Sequence, residues 1–256
     1  MLMLRGKRAL IFGVLNDKSI AWAIARAFHE QGAELAFTYM SETRCKRVIP
    51  LVATLNPKFI VPCNVASDAE IKNVFREIAT LWDGIDIIIH SVAFAEKDDL
   101  KGAIINTSRA GFAAAMDIST YSFLGIMKEA APMMRGRNAV ALTLSYYGAV
   151  KVVPNYNIMG VAKAALETLV RYLAEALGPE GVRVNAISSG PILTTSAFGV
   201  NGFSDALDKV AVKAPLRRNI TQDIVAQSAL YLCSDMARGV SGEIHYVDAG
   251  YNIIGT

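Results

Sequence analysis

Apolar runs alternate with stretches of helical period along nearly the whole chain. Residues 7–13 (KRALIFG) read as a buried strand ending in glycine. Residues 20–31 read as a helix, with Ser19 at its N-cap and Gly32 just past its end. Glu34–Tyr39 is a second strand, followed by a helix near 43–55. Residues 59–63 form a short third strand, Asp68 caps a helix to about Trp82, and residues 86–91 are the fourth strand. The rhythm continues with a long helix over 109–134, a strand over 138–145, a second long helix over 156–177 and a strand over 182–187. Thr221 caps a helix to about Cys233, and residues 243–247 form the last strand. Seven strands alternating with six helices predict an α/β chain: one Rossmann-like doubly wound domain, its seven-stranded parallel sheet covered by helices on both faces. Only residues 190–214, with Pro191, Gly199 and Gly202, break the pattern. A stretch that long is expected to serve function, here as a lid over about 193–212.

Composition agrees with a folded enzyme-sized chain. Of 256 residues, 53% are hydrophobic and 19% charged, which excludes a disordered chain. Twenty-six basic against 23 acidic residues give a net charge of +3, too weak a bias to argue for nucleic acid. Cys45, Cys63 and Cys233 are an odd, widely spaced set without CxxC, so free thiols are expected rather than disulfides or a zinc site. His29, His90 and His245 are equally scattered, and no catalytic metal is expected. No apolar run has the length of a membrane span, and the first residues lack a signal-peptide pattern. A cytoplasmic location follows as an expectation.

Chemistry in a doubly wound sheet is expected outside the carboxyl ends of its strands. The first strand ends in Gly13-Val14-Leu15-Asn16-Asp17-Lys18-Ser19-Ile20, which is not GxGxxG. The amides at the helix start and the Ser19 hydroxyl could still hold a pyrophosphate. Asn64-Val65 follows the third strand, where an adenine would lie, and Ser91-Val92 ends the fourth, where small residues would admit a nicotinamide ribose. Each of these alone reads equally as an ordinary strand end; their agreement is the signal.

Tyr156 and Lys163 lie seven residues apart, on one face of a helix and two turns from each other. A phenol beside an ammonium suits a reaction that develops negative charge on a substrate oxygen, and the ammonium would lower the tyrosine pKa. The plain alternative is a packed tyrosine and a surface lysine. The position of the pair, directly after the fifth strand, favours chemistry.

With these residues the chain resembles the short-chain dehydrogenase/reductase superfamily and, within it, the enoyl-acyl carrier protein reductases of FabI type. The resemblance runs from Lys7 to about Gly250. It is carried by Gly13-x5-Ser19-Ile20-Ala21, Phe37-Thr38-Tyr39, His90-Ser91, Leu142-Thr143-Leu144-Ser145-Tyr146, Pro154-Asn155-Tyr156-Asn157-x-Met159-Gly160-x-Ala162-Lys163, Gly178-Pro179-Glu180-Gly181-Val182-Arg183-Val184-Asn185 and Gly190-Pro191-Ile192. Ordinary members of the superfamily use Tyr-x3-Lys, and here that tyrosine position is Met159. Their catalytic serine position is Tyr146. A phenol displaced to Tyr156 fits a reaction in which the charged oxygen is two atoms further from the hydride acceptor.

The resemblance implies hydride transfer from NADH, with NADPH less favoured, to C3 of a trans-2-enoyl thioester on acyl carrier protein, within bacterial type II fatty acid elongation. It implies Tyr156 and Lys163 in catalysis, with Tyr146 shaping the pocket. It places Gly13, Ser19, Ile20 and Met40, then Asn64, Val65, Ser91 and Val92, then Lys163, Ile192, Leu193, Thr194, Thr195 and Ser196 along the cofactor, and Ala95 with Tyr156 on the substrate. It implies a homotetramer. Asn64, Ala93, Met40 and Leu193 depart from the residues common in relatives, and Asn201, Ser204 and Asp205 stand where some carry basic residues. The alternatives are a short-chain reductase acting on a ketone or alcohol, against which Met159 argues, and a non-enzymatic dinucleotide-binding regulator, against which the phenol–ammonium pair argues.

Overall fold

The structure is a computed structural model that describes residues 2–194 and 203–255. Its centre is one seven-stranded sheet in the order β3-β2-β1-β4-β5-β6-β7, every neighbouring pair parallel. The strands are β1 (Arg8–Phe12), β2 (Glu34–Tyr39), β3 (Phe59–Pro62), β4 (Ile87–His90), β5 (Ala139–Tyr146), β6 (Val182–Ser189) and β7 (Ile244–Val247). Strand order reverses between β1 and β4, so a crevice opens there at the carboxyl ends.

Helices cover both faces because each strand is apolar on both. Leu10, Phe12, Ile88 and Ala141 pack on one side with α3 (Asp68–Ile78), α5 (Ser122–Met134) and α6 (Asn157–Leu177). Ile11, Ile87, Ile89 and Leu142 pack on the other with α1 (Ile20–Glu30), α2 (Glu42–Ala53) and α8 (Gln222–Cys233). None of the three cysteines is in a disulfide, and no helix among the described residues is long and apolar enough to cross a membrane. The described residues contain no group of His, Cys, Asp or Glu able to hold a metal.

Several sequence expectations need correction. The N-cap of α3 is Ser67, whose hydroxyl accepts from the Glu70 amide; Asp68 is the first helical residue, and the helix ends at Ile78. Ser19 holds the N-cap position of α1 by backbone geometry, but its hydroxyl caps nothing in the helix. The long helix over 109–134 is α4 (Arg109–Met116) and α5, joined by a π-helical segment at Asp117–Tyr121. Helical period does not register one extra residue in a turn. The irregular stretch contains a further helix, α7 (Phe203–Lys213). Of the expected lid, residues 195–202 lie outside the described residues.

Candidate active site

Gly13 shapes the cofactor end. Its φ of +101° and a Cβ that would overlap the Ser91 carbonyl show that β1 and β4 close on each other only through glycine here. The Ser19 hydroxyl accepts from the amides of Leu15 at 3.0 Å and Asn16 at 3.1 Å, so it builds the turn rather than waiting free for a phosphate. The Asn64 side-chain oxygen accepts from the Ala66 amide at 3.2 Å, which occupies one of its lone pairs. Val65 and Val92 are half-buried against the α3–α6 core, while Ile20 and Ile192 pack on the opposite one. Met40 and Leu193 are exposed, with the Leu193 carbonyl accepting from Gln222 Nε2 at 3.0 Å. The same amide donates to the Lys18 carbonyl at 3.1 Å, so Gln222 ties the loop after β6 to the loop after β1. Only proximity in space could have revealed it. Thr194 is described; Thr195 and Ser196 lie outside the described residues.

The chemical end is built by β5 and α6. Asn155 (φ +61°) and Asn157 (φ +35°) flank Tyr156, a backbone that asparagine tolerates, and Asn157 Nδ2 donates to the Gly102 carbonyl. Tyr156 occupies the N-cap of α6, and its ring meets the Tyr146 ring edge-on, centroids 4.8 Å apart. A Cβ on Gly148 would stand 2.5 Å from Tyr156 Cδ1, so this glycine makes room for the phenol. Burial pushes both phenols up, Tyr146 to about 12 and Tyr156 further. The expected depression by Lys163 is overturned: burial, then the neighbouring Tyr146 and Glu167, raise the Tyr156 phenol. The Tyr156 phenol therefore keeps its proton at neutral pH.

Lys163 is 5% exposed, and its ammonium donates to the Leu144 carbonyl at 2.7 Å. Burial pulls it down to about 8, and Glu167 pulls it partly back. An ammonium carries three donors. One is met by Leu144, and a ribose diol fits the other two. The group with which a nicotinamide dinucleotide would be held is thus present.

The substrate side comes from β4 and the π-helical segment. Ala95 and Tyr156 pack on one small cluster of Leu100, Ala115, Ile158 and Met159. Ser119 holds this loop by donating to the Phe94 carbonyl and accepting from the Phe94 amide, both at 2.9 Å. Thr120 donates to the Ala162 carbonyl, one residue before Lys163. Ser122 donates to the Ile118 carbonyl at 2.7 Å and so accepts from His90 Nε2 at 2.9 Å, and His90 Nδ1 lies 2.8 Å from the Thr143 hydroxyl. His90 is held neutral, burial and then Lys163 pulling it down to about 3. Ser119, Thr120, Ser122 and Glu167 escaped the sequence reading because hydroxyls and carboxylates on helices look like solvated positions.

A family model described as enoyl-(acyl carrier protein) reductase matches residues 13–252. The chain is 48% identical over 253 residues to the enoyl-[acyl-carrier-protein] reductase [NADH] FabI of Aquifex aeolicus, covering 99% of this chain and 94% of that one. It is 50% identical to the Nostoc protein of the same name, with both chains fully covered. Among solved structures, the Aquifex aeolicus reductase superposes with a TM-score of 0.96 at 48% identity, covering 99% of each chain. The Anaplasma phagocytophilum reductase, solved in complex with NAD, gives 0.95 at 48% identity, covering 100% of this chain and 97% of that one.

Proposed function

The chain belongs to the enoyl-acyl carrier protein reductase family, and from that premise we propose how its residues carry out the reaction. It reduces trans-2-enoyl thioesters on acyl carrier protein to saturated acyl thioesters in fatty acid elongation, with NADH as the reductant. Held at the β1–β4 crevice, NADH would supply the hydride that the β-carbon of the substrate accepts.

Gly13 and the Ser19-built turn would receive the dinucleotide's phosphates at the start of α1, with Asn64 and Val65 toward its adenine and Ser91, Val92, Ile192, Leu193 and Thr194 along the remainder. Lys163 holds the nicotinamide ribose and faces the charge that develops on the thioester oxygen. Tyr156 donates its proton as a hydrogen bond to that oxygen, and its raised pKa keeps the proton in place until the enolate forms. Ala95 lines the substrate, Tyr146 sets the edge of the Tyr156 ring, and α7 is the described part of the lid.

One observation carries the choice of an enoyl rather than a ketone substrate. The superfamily's usual phenol position is Met159, which is 6% exposed and packed in the cluster under Ala95, so it offers no proton to a nearer carbonyl. The test is oxidation of NADH and of NADPH with crotonyl and with acetoacetyl thioesters. Crotonyl thioester with NADH should be consumed; turnover of acetoacetyl thioester alone would sink the reading. We place the enzyme in the cytoplasm and read it as a homotetramer, the assembly being supported by the apolar outer face of α4–α6.

A further inference from the structure

Two charged side chains are buried one turn apart on α6: Lys163, 5% exposed, and Glu167, 4% exposed. Consecutive residues of β5 hold them. The Leu144 carbonyl accepts from Lys163 Nζ at 2.7 Å, and the Ser145 hydroxyl donates to Glu167 Oε1 at 2.5 Å. That length is typical of a hydroxyl bonded to an ionised carboxylate. Ser145 shares its register with Ser188 of β6 and Tyr246 of β7, so the sheet turns polar under this end of α6. The Ser188 hydroxyl is buried there with no protein partner.

We propose that Glu167 is a positioning residue for the reduction: its buried carboxylate, clamped by Ser145, is the counter-charge that keeps Lys163 protonated at the cofactor ribose. The proposal rests on the role given to Lys163 above. An ammonium taken out of water tends to lose its proton, and an opposite charge close by opposes that loss. Among the described residues, the other groups near Lys163 supply no negative charge. His90 of β4 is neutral and held by Thr143 and Ser122, and Tyr156 and Tyr146 keep their phenolic protons. Burial pushes the Glu167 carboxyl up, against which the Ser145 hydroxyl, Arg171 of α6 and Lys163 itself favour the carboxylate, while Tyr246 of β7 is kept protonated by burial. A role in packing alone would be filled equally by glutamine, whose amide oxygen accepts from Ser145.

That difference sets the experiment. NADH affinity is measured by fluorescence from pH 6 to 10 for the wild type and for Glu167→Gln, Glu167→Asp and Lys163→Met. Wild-type binding should weaken as Lys163 loses its proton. In Glu167→Gln the midpoint of that loss should move down by about one pH unit, the lower end of what a neighbouring opposite charge is worth. Affinity at pH 6 should stay within about twofold, and Glu167→Asp should restore much of the midpoint. An unchanged midpoint in Glu167→Gln, or an equal loss at every pH, overturns the proposal. Should Glu167→Gln fail to fold, Ser145→Ala must give a smaller shift in the same direction, and an unmoved midpoint there overturns it as well. Lys163→Met separates the two readings: wild-type affinity and pH dependence in that variant would refute the role of Lys163 itself.

Discussion

Loss of one oxygen atom at Tyr156 tests the chemistry with least disturbance of the fold. Tyr156→Phe keeps the ring against Tyr146 and over Gly148, so its melting temperature should stay within a few degrees of wild type. Turnover should fall by ~10²–10⁴, the usual worth of a positioned acid. Wild-type kcat with crotonyl thioester would remove Tyr156 from the mechanism. His90 carries a second residue-scale consequence, for stability. Its pKa lies near 3 in the folded chain and at 6.5 in its ordinary state. Between those values the unfolded chain holds a proton that the folded chain does not, so stability must fall as pH drops from 6.5 toward 3. This one group contributes a slope of about 1.4 kcal/mol per pH unit. Urea unfolding at pH 7, 6, 5 and 4 should show that slope lessened in His90→Asn; equal slopes in the two proteins would mean that His90 protonates freely in the fold.

At the scale of elements, period and strand-end chemistry told most of what was needed. The seven strands were legible because β-runs flanked by glycine are local signals, and the seven-residue spacing of Tyr156 and Lys163 is a local signal of the same kind. The π-helical segment at Asp117–Tyr121 was not, since one inserted residue leaves the apolar spacing of α4 and α5 nearly intact. Yet this segment and the first residue of α5 turn Ser119, Thr120 and Ser122 toward the Phe94 loop, the Ala162 carbonyl and His90. Ser119→Ala would leave both backbone groups of Phe94 without their partner. Two bonds at ~0.5–1.5 kcal/mol each predict a KM for crotonyl thioester raised about tenfold, with NADH affinity changed less. An unchanged KM would show that the Ala95 loop needs no such anchor. The β2–α2 turn belongs to the same scale. Ser41 bonds Thr43 there, no cation lies between Thr38 and Thr43, and Arg44 is exposed on the first turn of α2. A 2′-phosphate would find no fixed partner. Hence kcat/KM should favour NADH, and Arg44→Ala should leave the preference in place; a higher kcat/KM with NADPH that Arg44→Ala abolishes would show Arg44 reaching back to it.

The whole molecule poses a different question, because one sheet cannot cover both sides of α4–α6. Phe123, Leu166 and Val170 point into the core, as a helix packed on a sheet requires. Phe112, Tyr121, Leu124, Val161 and Tyr172 are 38–73% exposed on the same elements. Between them runs an apolar groove of about 400 Å³, lined by Met116, Tyr121, Leu124, Leu169 and Tyr172. Large apolar side chains gathered on one outer face are the mark of an interface rather than of a solvated surface. Burying such a face is favourable at roughly 25 cal/mol per Å² of apolar area, and a partner of the same chain supplies a matching surface by two-fold symmetry. The face also backs the helix that carries Lys163: its residues sit on α4, the π-helical segment, α5 and α6, and Thr120 of that segment bonds the Ala162 carbonyl next to Lys163. Light scattering should therefore give about four times the 27.6 kDa chain mass. Leu124→Glu, which places a charge in the groove without touching the sheet, should shift that mass downward and reduce kcat together with it. A stable monomer in the wild type would refute the assembly. Full activity in a dissociated Leu124→Glu protein would confine the assembly to stability and leave the catalytic helix self-sufficient.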